Sequence, residues 1–161
     1  MSFSLAMKPY EKLQRYWRET AAGMETIESS CSQVAALENR YGIRLPEDFR
    51  DYLLHSCPKD EFSNCDLDTF WWSFDRIKNI PEEYEHPISD AVIARDAAKY
   101  IFFADYAIWC WAWAICCGDD ENRGRVALIG GMPDQFVANS FAAFIDIYIE
   151  DSGGNRRLCP S

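Results

Sequence analysis

Residues 37–54 read LENRYGIRLPEDFRDYLL, two helix fragments divided by a glycine stop and a proline restart. Just upstream, Ser30 and Gln33 match the capping box S-x-x-Q, in which each side chain satisfies a free backbone donor of the other. Cys31, Val34, Ala35, Glu38 and Tyr41 then share one face, apolar except for Glu38. Gly42 follows, at the place where a left-handed conformation costs least. Pro46 drives Leu45 out of helical φ/ψ, and its own fixed φ suits a first helical turn. Glu47 and Asp48 set negative charge at the positive end of that helix, and Phe49, Tyr52 and Leu53 form its apolar stripe. Only Gly42, Ile43, Arg44 and Leu45 link the two helices, so they must pack as a corner. Ile43 and Leu45 are expected to plug that corner, with Leu45 buried and Pro46 the first residue of the second helix.

Elsewhere the pattern predicts a helix over 9–20, with Leu13, Tyr16, Trp17 and Thr20 on one stripe and Gly23 past its end. A strand is expected over 69–77, a loop over 79–87, a short helix over 90–98, and strands over 100–104, 108–117 and 125–129. In the third of these strands Trp109, Trp111, Trp113 and Ile115 face one way, and Cys110, Ala112, Ala114 and Cys116 the other. The row of indoles is open to two readings, core beneath the terminal helix or a binding platform. The segment GDDENRG at 118–124 is a hairpin turn. Asn139 or Ser140 caps a last helix whose Phe141, Phe144, Ile145, Tyr148 and Ile149 form a stripe. Helices, then strands, then a helix favour an α+β chain with an antiparallel meander. A length of 161 residues fits one domain, and its end at 151–161 reads as a loosely held polar tail.

Charge and cysteine usage narrow the function classes. Sixteen basic against 26 acidic side chains give a net charge of −10, and no basic cluster stands out, which argues against nucleic acid or an anionic membrane as partner. A basic protein partner fits the sign; solubility alone explains it equally well. Seven cysteines, an odd number with no CxxC pair, read as reduced thiols in a cytoplasmic protein. The N-terminus lacks a signal-peptide pattern, and the uncharged run 106–117 is too short to span a membrane.

Motifs for catalysis are missing: no GxSxG, P-loop, GxGxxG or HExxH. His55 and Cys57 are two apart, so on a helix they point in different directions. His86 reads as a solvated loop residue. No cofactor or metal is expected. The carboxylates of Asp66 and Asp68, and of Asp119, Asp120 and Glu121, lack the spacing of a calcium loop. Asp60, Glu61, Asp66 and Asp68 in one loop and Asp119, Asp120 and Glu121 in the hairpin turn are instead candidate acidic contacts for a partner, or plain solvated turns. Trp71 and Trp72 point to opposite sides of their strand, so one of them is a candidate exposed anchor beside the first loop.

The opening stretch, VAALENRYGIRLPEDFRDYLL, closely resembles the N-terminal signature of the SMI1/KNR4 (SUKH) superfamily, carried by Glu38, Gly42, Ile43, Leu45, Pro46, Phe49, Tyr52 and Leu53. The segment IFFAD at 101–105 is similar to that family's strand and turn, and VANSFAAF at 137–144, with Ser140, Phe141 and Phe144, to the start of its C-terminal helix. The resemblance spans roughly 27–150, which leaves 1–26 as an N-terminal helical extension and 151–161 as a polar tail. It implies an α+β fold, a central, mostly antiparallel sheet flanked by N-terminal and C-terminal helices, without enzymatic activity, Glu38 and the Leu45-Pro46 pair being structural. It also implies a protein partner: bacterial members look like immunity proteins that neutralise toxin domains, a basic nuclease fitting the acidic charge here, while fungal relatives act in cell-wall signalling. An immunity protein is the first expectation, an intracellular regulatory scaffold the second and a small hydrolase a distant third. The chain departs from the pattern after Asp105, where YAIWCWAW replaces the glycine-rich turn of many members.

Overall fold

The computed structural model describes residues 6–20, 24–60, 65–66, 68–151 and 157–160. Helix α1 (Pro9–Thr20) is followed by strand β1 (Thr26–Ile27), helices α2 (Cys31–Tyr41) and α3 (Glu47–Ser56), and the strands β2 (Cys57–Pro58), β3 (Cys65–Asp66) and β4 (Thr69–Trp71). Two short helices, α4 (Ile80–Glu83) and α5 (Ala91–Arg95), precede the strands β5 (Tyr100–Tyr106), β6 (Trp111–Cys116), β7 (Val126–Ile129) and β8 (Gln135–Ala138), and helix α6 (Phe141–Glu150) closes the order. Strands β3 to β8 form one six-stranded antiparallel meander in chain order, and β1 pairs with β2 apart from it. The fold is therefore α+β, as the element order predicts.

The helix corner forms as the sequence requires, with two adjustments. Ser30 and Gln33 make the full capping box, and Gly42 stops α2 at φ 62°. Leu45 is buried. Pro46, however, has φ −55° and ψ 144°, so it is the N-cap and the helix begins at Glu47. The docking face of α2 is Val34 and Leu37, with Glu38 and Tyr41 half-buried; Cys31 and Ala35 are exposed. The face is rotated because Leu37 fills the corner better than the small Ala35 does. From the turn between β6 and β7, Arg123 donates to the carbonyls of Arg44 at 2.6 Å and Leu45 at 3.0 Å, tying the hairpin to the linker.

One face of the sheet carries the main core. Trp71 meets Trp17 of α1 and Tyr148 of α6 edge to face at 5.3 and 5.1 Å, and Phe144 packs on Trp113 and Phe103. Edge-to-face packing suits the ring quadrupoles. Leu13 and Trp17 are buried, so α1 is part of this core. The C-terminal segment is held too: Leu158 is buried, its carbonyl accepts Trp113 Nε1–H at 3.0 Å, and Arg157 pairs with Glu150 and Asp151. That corrects the expectation of a loose tail for residues 157–160.

Several expected boundaries move. The strand expected over 69–77 ends at Trp71, and Phe74–Arg76 forms a 3-10 turn. The loop expected over 79–87 contains α4, capped by Asn79 on Glu82 N–H. The strand expected over 108–117 starts only at Trp111. Trp111 and Trp113 do share a face, toward α6, but Trp109 leaves the row for a turn.

Candidate functional site

The two acidic loops do not meet. Asp68 lies beside the end of β5, where its carbonyl accepts Ala107 N–H at 2.7 Å, whereas the hairpin turn follows Cys116, which pairs with Tyr100 at the start of β5. The seven residues of β5 separate them by about 20 Å. Asp66 is buried, accepting the Tyr148 hydroxyl, which in turn accepts Trp71 Nε1–H at 3.2 Å. Burial raises the Asp66 pKa, and the Tyr148 hydrogen bond lowers it by less. Asp60 is half-buried, Asp68 exposed, and Glu61 lies outside the described residues. Asp119 and Glu121 are exposed, while Asp120 is engaged locally, accepting Asn122 N–H and pairing with Arg95.

Neither Trp71 nor Trp72 is an exposed anchor. They do point to opposite sides, but both are buried. Trp71 belongs to the helix-covered core. On the other face Trp72 packs on Phe102 and Trp109, and the Arg76 guanidinium lies over its ring at 4.0 Å.

What Trp72 does instead is support a neighbouring turn. Its Nε1–H donates to Asp105 Oδ2 at 2.7 Å, and Asp105 Oδ1 accepts Trp109 N–H at 2.9 Å. Arg76, stacked on Trp72, binds Glu83 Oε1 at 3.0 Å, and the same oxygen accepts Trp109 Nε1–H at 3.0 Å. Asp105, Trp72, Arg76, Glu83 and Trp109 thus close a circuit that grips Trp109 by backbone and side chain. Inside it Arg76 balances Glu83, and two N–H donors satisfy Asp105; paired polar groups are the condition for such a network to hold a geometry.

The gripped turn is strained. Ala107, Ile108 and Trp109 have φ of 49°, 56° and 65°, left-handed values in three successive residues with Cβ atoms. Such a conformation in a β-branched residue persists only where surrounding structure imposes it, and it clusters at functional sites. The turn lifts Ile108 into solvent at 84 % exposure. Beside it, Trp109 stacks on Tyr84 at 5.6 Å and 13°, and Trp111 on Tyr106 at 4.3 Å. Asp134 bonds Ser89 and Gly130 N–H, drawing the loops after α4 and β7 to the same end. Met132 of the second loop is 88 % exposed. A cleft of about 370 Å³ opens there between Glu83, Tyr84, Glu85, His86 and Trp109.

Sequence reading passed over this end because its parts are scattered over three loops and its carboxylates, Glu83, Asp105 and Asp134, lie more than twenty residues apart in the chain. The available signal was Asp105 inside an apolar run. Of the His55 and Cys57 pair, His55 is stacked on by the Tyr10 ring at 4.6 Å and Cys57 is buried, burial pushing its thiol pKa up to about 12. Among the described residues no group of three His, Cys, Asp or Glu side chains could hold a metal ion, and no helix is long and apolar enough to cross a membrane.

The SMI1 / KNR4 family (SUKH-1) model matches residues 28–147. This chain belongs to the SMI1/KNR4 family. The matched span starts at the end of β1 and stops within α6, so α1 and the Leu158 segment are packed onto this SMI1/KNR4 domain from outside it. No curated protein matches the sequence closely enough to count as a relative.

Proposed function

We propose that this SMI1/KNR4 chain is a non-enzymatic protein-binding domain, an immunity protein that neutralises a toxin domain by direct contact in the cytoplasm. The observation that carries the reading is the sheet end around Trp109. A binding surface needs apolar anchors held rigid in advance, because ordering them on binding costs affinity. Ile108 is such an anchor, exposed on a turn whose geometry a partly buried circuit imposes. The net charge of −10 favours a partner with a basic surface, through faster association. Cys31, Cys57, Cys110, Cys116 and Cys117 are free thiols, which fits a reducing compartment.

The test is co-expression with the toxin domain encoded beside this chain's gene. Rescue of growth together with a stable complex in size-exclusion chromatography supports the reading. Undiminished toxicity with no complex, or no toxin in that neighbourhood, overturns it.

A further inference from the structure

Resting on the protein-binding reading, we infer that the cleft between Tyr84, His86 and Trp109 seats an arginine side chain of the partner protein, with Ile108 covering an aliphatic residue next to it. The walls supply what a guanidinium needs. Tyr84, His86 and Trp109 give aromatic surface, with the His86 ring edge-on to Tyr84 at 5.3 Å. A guanidinium stacks on such faces and forks onto a carboxylate, which an ammonium does less well. The two carboxylates of the cleft differ in what they are free to do. Glu83 is engaged by Arg76 and by Trp109 Nε1–H. Glu85 is exposed, and among the described residues it has no ion-pair partner.

The chain already contains this arrangement twice with its own arginines. Arg76 lies over Trp72 at 4.0 Å and pairs with Glu83 at 3.0 Å. Arg40 lies over Tyr41 at 5.0 Å and pairs with Glu82 at 2.8 Å. The cleft is a third aromatic wall with a glutamate, and no arginine of the described chain fills it. Charge complementarity thus selects a cationic side chain, and the exposed Ile108 selects a protein surface rather than a free cation.

The experiment is an NMR titration of the ¹⁵N-labelled full chain with the peptide acetyl-Gly-Leu-Arg-Gly-amide. Its control replaces arginine by citrulline, neutral and of the same shape. Saturable shifts of the Trp109 indole N–H and the Ile108 amide are expected, with half-saturation at about 1–10 mM. Citrulline and Glu85→Gln should each weaken binding about three- to fivefold. No saturable shift, shifts elsewhere only, or equal binding of the two peptides overturns the inference. Because the peptide is not the toxin, the outcomes separate. A silent cleft in a chain that still binds a toxin sinks this site alone. An arginine-selective cleft in a chain that protects against no toxin sinks the immunity reading alone.

Discussion

Glu38 reaches seven residues forward to Leu45, its Oε2 accepting the Leu45 backbone N–H at 2.9 Å. Leu45 cannot continue α2 because Gly42 has ended it, and cannot enter α3 because Pro46 follows. Its N–H therefore needs a partner from outside the helices. A glutamate one turn before the end of α2 is placed to supply it, so the one polar residue on the docking face is structural.

Two substitutions test the corner, one through the hydrogen bond and one through the packing. Glu38→Ala strands a partly buried donor and should cost about 1–2 kcal/mol. Leu45→Ala opens a cavity between α2, α3 and the hairpin and should cost about 2–4 kcal/mol. Urea denaturation measures both. A loss below about 0.5 kcal/mol for Leu45→Ala would show that this leucine does not lock the corner.

The corner was legible because each of its parts obeys local rules: a capping box, a left-handed glycine, a proline restart. The meander was legible in order, though not in its ends. Two-residue strands such as β1, β2 and β3 carry no period, and β8 follows a loop that hides it. The turn at 107–109 was illegible for a different reason. Alanine, isoleucine and tryptophan all disfavour positive φ, so local propensity points to the wrong answer there. The answer is imposed by Asp105, four residues from Trp109, together with Trp72 and Glu83, which are distant in sequence. That is also where the chain departs from the glycine-rich turn of many family members, so neither source of expectation reached the site.

Asp66 gives a pH prediction. Its carboxyl pKa is raised chiefly by burial, so the fold favours the protonated form. A raised carboxyl contributes stability that is full below its ordinary pKa of 3.8 and is lost as pH rises through the folded value. Asp66→Asn keeps an acceptor for the Tyr148 hydroxyl and removes the buried charge. The variant should therefore gain on the wild type as pH rises from about 4 to about 8, read from paired urea midpoints. A difference that is flat over that range, or that shrinks with rising pH, would show that the ionised carboxylate is well solvated.

The thiols should divide by environment. Cys31 and Cys110 are exposed, whereas Cys57, Cys116 and Cys117 are buried. Desolvation raises all three buried thiols, Cys57 to about 12. At pH 8 the thiolate fraction of Cys57 is then roughly one in ten thousand, and the thiolate is the reactive form. Iodoacetamide with peptide mapping should label Cys31 and Cys110 within minutes and leave the buried three until denaturant is added. Early labelling of Cys117 would mean that the hairpin opens in the native state.

The last prediction sets stability against exposure at Ile108. A β-branched residue at φ 56° carries a strain of about 1–2 kcal/mol that glycine does not. Glycine in turn adds about 0.4–1 kcal/mol of unfolded-chain entropy. At 84 % exposure the isoleucine side chain recovers almost nothing from packing. Ile108→Gly should therefore leave the protein more stable by about 0.5–1 kcal/mol, seen as a raised Tm in calorimetry. On the function proposed above, the same substitution should weaken the complex with the partner protein by removing the apolar anchor, hastening dissociation while leaving association unchanged. A chain that is stabilised yet loses its partner would show that the isoleucine is kept on its strained turn for contact. A chain that is destabilised would show that Ile108 supports the fold, and the turn would then need no partner to account for it.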